Sequence, residues 1–201
     1  MADMPQSAFF RARLWMVRHA RVPGSEGHCY GASDWPAHGP ETQMAAQQLV
    51  RAWQMQGVRP GRLVVSQRQR AGALALALQG HWPDVPLQVD PRLNEFDFGC
   101  WEGVSWADIP KSALDAWTAD FAHHRFGGVD CTADLVTRVA AALRELEAVD
   151  APGETLWVTH AGVIRAVQWL FTHGPSAPLV ASQWPLHAPA CGEWQCLDGG
   201  G

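Results

Sequence analysis

Four places along the 201-residue chain carry side chains able to act together as a polar reaction centre. Arg18 and His19 follow one apolar run. Arg70, with Arg68 two positions before it, follows a second. His160 follows a third, in Thr159-His160-Ala161-Gly162. Glu95 stands in the aromatic and acidic stretch Leu93-Asn94-Glu95-Phe96-Asp97-Phe98-Gly99. Singly these residues are ordinary. A lone histidine is usually a hydrogen-bonded structural residue, and a lone arginine a surface charge. Their placement at equivalent strand ends sets them apart. The chain has 14 arginines against a single lysine, Lys111, so any anion site has to be built from Arg, His and backbone amides.

The elements that must position these residues are legible as periodicities. Residues 13–17 and 62–65 read as short buried strands, 87–89 as a brief one, 154–159 as another, and 192–197 as a last one. Helices are expected over 41–56, 68–78, 112–122, 132–148 and from 162 to 171. In the fourth, Leu135, Val139, Leu143 and Leu146 bury one face. Gly57 with Pro60, and Gly80 with Pro83, close the first two. Residues 20–40, rich in Gly, Pro, Ser and His, read as a loop. Strands alternating with helices imply an α/β domain with a largely parallel sheet, whose ligands bind at the carboxyl ends of the strands. Residues 1–11 read as a flexible leader, and 12–201 as a single domain with a helical cap inserted around 104–130.

The segments Leu14-Trp15-Met16-Val17-Arg18-His19-Ala20, 66–71 ending in Arg70-Ala71, 93–103, and Val158-Thr159-His160-Ala161-Gly162-Val163-Ile164-Arg165 occur in that order. In this the chain resembles the histidine phosphatase superfamily, with its phosphoglycerate mutase-like fold. That fold is a three-layer α/β sandwich with a mostly parallel central sheet. Within the superfamily, Cys29-Tyr30-Gly31 and the 95–103 stretch look most like the α-ribazole phosphatases of cobalamin biosynthesis. The resemblance implies that His19 is the nucleophile, forming a phosphohistidine, with its other ring N–H held by an acceptor. It implies that Arg18, Arg70 and His160 surround the phosphoryl group as three cations, assisted by the start of the helix after His160. Glu95, flanked by Phe96 and Phe98, would protonate the leaving alkoxide and then deprotonate the hydrolytic water. No metal and no cofactor are called for, because Arg and His supply the positive field.

The chain departs from the family pattern in places. Ala20 stands where Gly is commoner, and Arg21 and Val22 where an acidic residue and Thr often follow. Gly72 and Leu74 replace a second Arg and a Thr. Gly128-Val129-Asp130-Cys131 stands in place of a Gly-Glu-Ser segment. Ser25 is the nearest match for a phosphate-pocket Asn. With Arg21, His28 and Arg165 it completes a candidate substrate rim. Adjacent His123 and His124 would point about 100° apart on a helix and make a poor metal chelate.

Composition narrows the classes. Hydrophobic residues at 47% and charged ones at 17% exclude a disordered chain. A net charge of −5 counts against a nucleic-acid binder. The apolar run 71–78 is too short to span a membrane, and Arg11 with Arg13 interrupts any secretory core in 8–17. Five scattered cysteines without a Cys-x-x-Cys pair imply a reducing, cytoplasmic setting. The expected partner is a small phosphorylated metabolite, not nucleic acid or membrane; oligomeric state has no signature here. The expected function is metal-independent hydrolysis of a small phosphomonoester, with α-ribazole 5′-phosphate the first candidate. A phosphoglycerate mutase is the first alternative, and the shortage of rim cations counts against it. A silent binding domain is the second, and a silent domain has no use for all five site residues. Eleven tryptophans against one tyrosine find no functional account in the sequence.

Overall fold

The computed structural model describes residues 13–148 and 153–198; the expected leader lies outside them. Five strands form one sheet. They are β1 (Arg13–Arg18), β2 (Pro60–Val65), β3 (Leu87–Val89), β4 (Glu154–Thr159) and β5 (Trp194–Asp198). Their spatial order is β3-β2-β4-β1-β5. The first four run parallel, and β5 is antiparallel to β1.

Period-2 alternation divides each central strand between two cores. Trp15, Val17, Leu63, Val65, Leu156 and Val158 face one side, where they meet α1 (Gly39–Met55) and α2 (Gln69–Gln79). Leu14, Met16, Val64 and Trp157 face the other, against α4 (Thr132–Ala148) and α5 (Ala161–His173). The result is the three-layer α/β sandwich expected from the sequence. Pro40 within the first turn of α1 fits the rule that proline is tolerated there. Gly57, with φ at +65°, takes the left-handed backbone that ends it.

The short helix α3 is Lys111–Ala119, three residues shorter than expected at its end. Asp120 leaves helical geometry at φ −125° and ψ 63°. Its side chain accepts from the His123 N–H, and its carbonyl from those of His123 and His124. A short polar side chain offering the backbone a turn in place of the helix accounts for the early stop.

Tryptophan has a structural role in both cores. Trp15, Trp53 and Trp82 pack together under α1, with ring centroids 4.9 and 5.6 Å apart. Trp157 and Trp169 are buried on the other face.

Candidate active site

The register of the sheet assembles the site. β1 and β4 are neighbours, with Arg18 opposite Thr159. The next residue of each strand is therefore a histidine beside a histidine. The His19 N–H donates to the Thr159 carbonyl at 3.1 Å, and the two imidazole centroids lie 5.1 Å apart. β2 lies on the other side of β4, so Ser66 and the start of α2, carrying Arg70, arrive next to His160. The chain beyond β3 crosses back over β4, where the Thr159 hydroxyl donates to the Leu93 carbonyl at 2.8 Å. That crossing delivers Glu95.

His19 is buried, and its Nδ1 lies 2.7 Å from the Ala20 carbonyl. An acceptor at Nδ1 places the ring proton there and leaves the Nε2 lone pair free. Burial, followed by the charges of Arg70 and Arg18, outweighs the Ala20 bond and holds the ring down to about 3. The imidazole is neutral and able to attack. This depression ties stability to pH. The unfolded histidine, near 6.5, takes a proton before the folded one does. The His19 contribution is therefore intact above pH 6.5 and is lost as pH falls towards 3, at about 1.4 kcal/mol per unit. His19→Gln is expected to soften the fall in melting temperature between pH 6.5 and 4. An unchanged slope would show that His19 carries none of it.

His160 is fully buried, with its Nε2 2.7 Å from the Ser66 hydroxyl. That hydroxyl oxygen already accepts from the Arg68 N–H, so its own proton is available to Nε2. The remaining ring proton then sits on Nδ1, a buried atom with no hydrogen-bond partner in the protein. Burial first, then the neighbouring His19 ring, which resists a second proton beside it, and the charges of Arg70, Arg68 and Arg138, keep His160 well below its ordinary value. Burial and the neighbouring cations thus work against the third cation that the resemblance implied at His160.

Arg70 is completely buried. Its two terminal nitrogens donate to the Ser33 and Gly31 carbonyls, each at 2.6 Å, and its guanidinium lies over the Tyr30 ring at 5.2 Å. Its Nε, like that of Arg18, is buried without a protein partner. Arg18 also donates to the Pro189 carbonyl at 3.3 Å. Glu95 rests on the start of α5. Its Oε2 accepts from the Gly162 N–H and its Oε1 from the Phe96 N–H, both at 3.0 Å. A Cβ at Gly162 would collide with Glu95 Oε1, so the carboxylate's seat requires glycine. The helix start expected to serve the phosphoryl group thus gives its Gly162 N–H to Glu95.

Four of these groups border a cavity of about 250 Å³, whose lining does not include the fully buried His160. His19, Arg18, Arg70 and Glu95 line it, as do His28 and Arg165 of the expected rim. The other two rim candidates lie elsewhere. Arg21 is spent on ion pairs with Glu41 and Glu26, at 2.7 and 3.0 Å. The Ser25 hydroxyl donates to the Val22 carbonyl at 2.8 Å and closes a turn. Aromatic rings make up much of the rest of the lining, as an aromatic wall. Tyr30, Phe96, Phe98 and Trp184 contribute to it, and the 104–130 segment adds Trp106, Trp117 and Phe121. Three of the eleven tryptophans thereby acquire a place at the site.

Several residues without an assigned role in the sequence hold this geometry. Ser66 fixes the His160 tautomer, and Tyr30 stacks on Arg70. Arg138 of α4 donates to the carbonyls of Arg92, Asn94 and Glu95, pinning the Glu95 loop from behind. Asp130, from the altered 128–131 segment, accepts the Asp97 N–H of the same loop at 3.0 Å. In the sequence Ser66 opens the segment that carries Arg70, whereas Arg138 is one polar residue on an amphipathic helix. Among the described residues, no group of three or more His, Cys, Asp or Glu is placed to hold a metal ion. None of their helices is long and apolar enough to cross a membrane.

Comparison with known proteins agrees with the geometry. A family model, "Histidine phosphatase superfamily (branch 1)", matches residues 14–189. A glucosyl-3-phosphoglycerate phosphatase of Mycobacterium tuberculosis is 28% identical, covering 93% of this chain and 85% of the relative. An adenosylcobalamin/α-ribazole phosphatase of Salmonella typhimurium is 27% identical, covering 92% and 90%. The crystal structure of an α-ribazole phosphatase from Shigella flexneri shares the fold, with a TM-score of 0.74 at 22% identity over 92% of this chain and 90% of that one. With a model matched along most of its length, the chain belongs to the histidine phosphatase superfamily, branch 1, and is a phosphoric monoester hydrolase.

Proposed function

We propose that the protein hydrolyses a small phosphomonoester through a phosphohistidine at His19, without a metal. The observation that carries this reading is the His19 ring, neutral and held at Nδ1 by Ala20, between Arg18, Arg70 and His160. In the first step Nε2 attacks phosphorus, the ester P–O bond breaks, and Glu95 gives its proton to the leaving alkoxide. In the second, Glu95 takes a proton from water, the water oxygen bonds to phosphorus, and the N–P bond breaks. Arg18, Arg70 and the Nδ1–H of His160 face charge on the equatorial oxygens throughout. Phosphoryl transfer needs little else, because its catalysis is mainly positioning and electrostatics.

The finer reading is α-ribazole 5′-phosphate in cobalamin biosynthesis. The name of the Salmonella relative supports it, and so does the aromatic wall. A flat base gains from stacking on such rings. Five free thiols support a cytoplasmic setting. The test is phosphate release in EDTA, first from p-nitrophenyl phosphate and then from α-ribazole 5′-phosphate, glucosyl-3-phosphoglycerate and 3-phosphoglycerate. Release from the aryl ester that EDTA leaves unchanged supports the phosphatase reading. No release from any ester by folded protein overturns it. A kcat/KM for glucosyl-3-phosphoglycerate above that for α-ribazole 5′-phosphate overturns the finer reading alone.

A further inference from the structure

Two loops far apart in sequence meet at one half-buried carboxylate. Glu102 accepts from the backbone N–H groups of Gly31, Ala32 and Ser33 at 3.0, 2.8 and 2.9 Å, and from the Ser33 hydroxyl at 2.5 Å. It also accepts from the Phe98 N–H at 3.0 Å. Burial pushes its pKa up, but the Ser33 hydroxyl and the backbone donors outweigh burial and hold it below the ordinary value. The group is an anion at neutral pH, with five donors around it.

Each loop carries one half of the chemistry. The 31–33 turn supplies the carbonyls of Gly31 and Ser33 to Arg70. The other loop holds Glu95, three residues before Phe98. The Gly31 carbonyl that receives Arg70 and the Ala32 N–H that reaches Glu102 belong to the same peptide unit. A trans peptide is planar, with its N–H and C=O pointing in opposite directions. One rigid plane therefore has an anion at its donor end and the catalytic guanidinium at its acceptor end. The two loops also touch without slack, since a Cβ at Gly31 would collide with the Phe96 carbonyl.

From this geometry we infer that Glu102 is a positioning residue for phosphoryl transfer: it clamps the 31–33 turn to the 95–98 loop and so fixes Arg70 relative to Glu95. The inference rests on the phosphatase reading but is independent of the substrate. Glu102 touches no reacting atom. Its removal deletes no catalytic side chain but frees the turn that aims Arg70.

The experiment is a double-mutant cycle on the full chain with p-nitrophenyl phosphate, read beside inhibition by vanadate. Glu102→Gln removes the charge and turns an amide donor towards backbone donors. It is expected to lower kcat about 10- to 100-fold, the size of effect that a small misplacement of a catalytic group produces. KM should change far less, and vanadate affinity should fall with kcat. In an Arg70→Ala background the same substitution should cost less than about twofold, because the group it aims is gone. Losses that multiply in full, or a kcat equal to the parent's, overturn the inference. Glu102→Asp, one methylene too short to reach both loops, repeats the cycle if Glu102→Gln does not fold. Val139→Ala, a core truncation, serves as a control; it should lower the melting temperature yet keep kcat. A parent chain that turns over no phosphoester fails the phosphatase reading instead.

Discussion

His19→Ala is expected to abolish turnover, lowering kcat by about ten-thousand-fold or more while the fold survives. The His19 ring has a free nitrogen lone pair and a fixed proton on the opposite nitrogen; His28 has the same arrangement against the Glu26 carbonyl, but it lies on an exposed loop, whereas His19 is buried beside Arg18 and Arg70. Arg18 and Arg70 cannot substitute, since a guanidinium stays protonated and has no lone pair to offer. The His160 ring has its Nε2 occupied by Ser66 and its Nδ1 protonated. The backbone bond from the His19 N–H to Thr159 does not need the side chain, so strand pairing persists. Two measurements check the expectation: steady-state release of p-nitrophenolate, and acid-labile phosphate on the protein after rapid quenching. The parent should carry the label and the variant should not. Activity in the variant above about 1% of the parent's would remove His19 as nucleophile.

Glu95→Gln should divide the substrates by their leaving groups. An alkoxide is a poor leaving group and needs a proton as it departs, which general acid catalysis supplies at a gain of about 100- to 10,000-fold. Alkyl phosphates should lose rate in that range. A p-nitrophenolate ion leaves without assistance, so formation of the phosphoenzyme from the aryl ester should change by roughly tenfold or less. Its hydrolysis, which needs Glu95 as base, should then become limiting. A stopped-flow trace should show a burst of p-nitrophenolate followed by a slow steady rate. Equal losses for alkyl and aryl esters in the first step would rule out the acid role.

The fold was legible because strands and helices here advertise their period. Leu14 to Val17 alternate between two cores, and Leu135, Val139 and Leu143 mark one helix face. The positions of His19, Arg70 and His160 follow from the rule that ligands gather where parallel strands end. The supporting residues were harder to read, since their function lies in hydrogen bonds to backbone atoms distant in sequence. Arg138 reaches carbonyls 43 to 46 positions away, and Glu102 reaches amides 69 to 71 positions away. No local pattern encodes such a bond. Arg21 and Ser25 illustrate the reverse error. Closeness to the nucleophile in sequence suggested a rim, but the loop turns both towards Glu41, Glu26 and Val22.

The adjacency of β1 and β4 also has a consequence in time. His19 and His160 lie 141 positions apart and become neighbours only when the first and penultimate strands pair in register. A slip of one residue would send one imidazole to the opposite face of the sheet. Contacts of such long range are closed late, because loop entropy must be overcome before they repay it. The two histidines come together only through the register of β1 against β4.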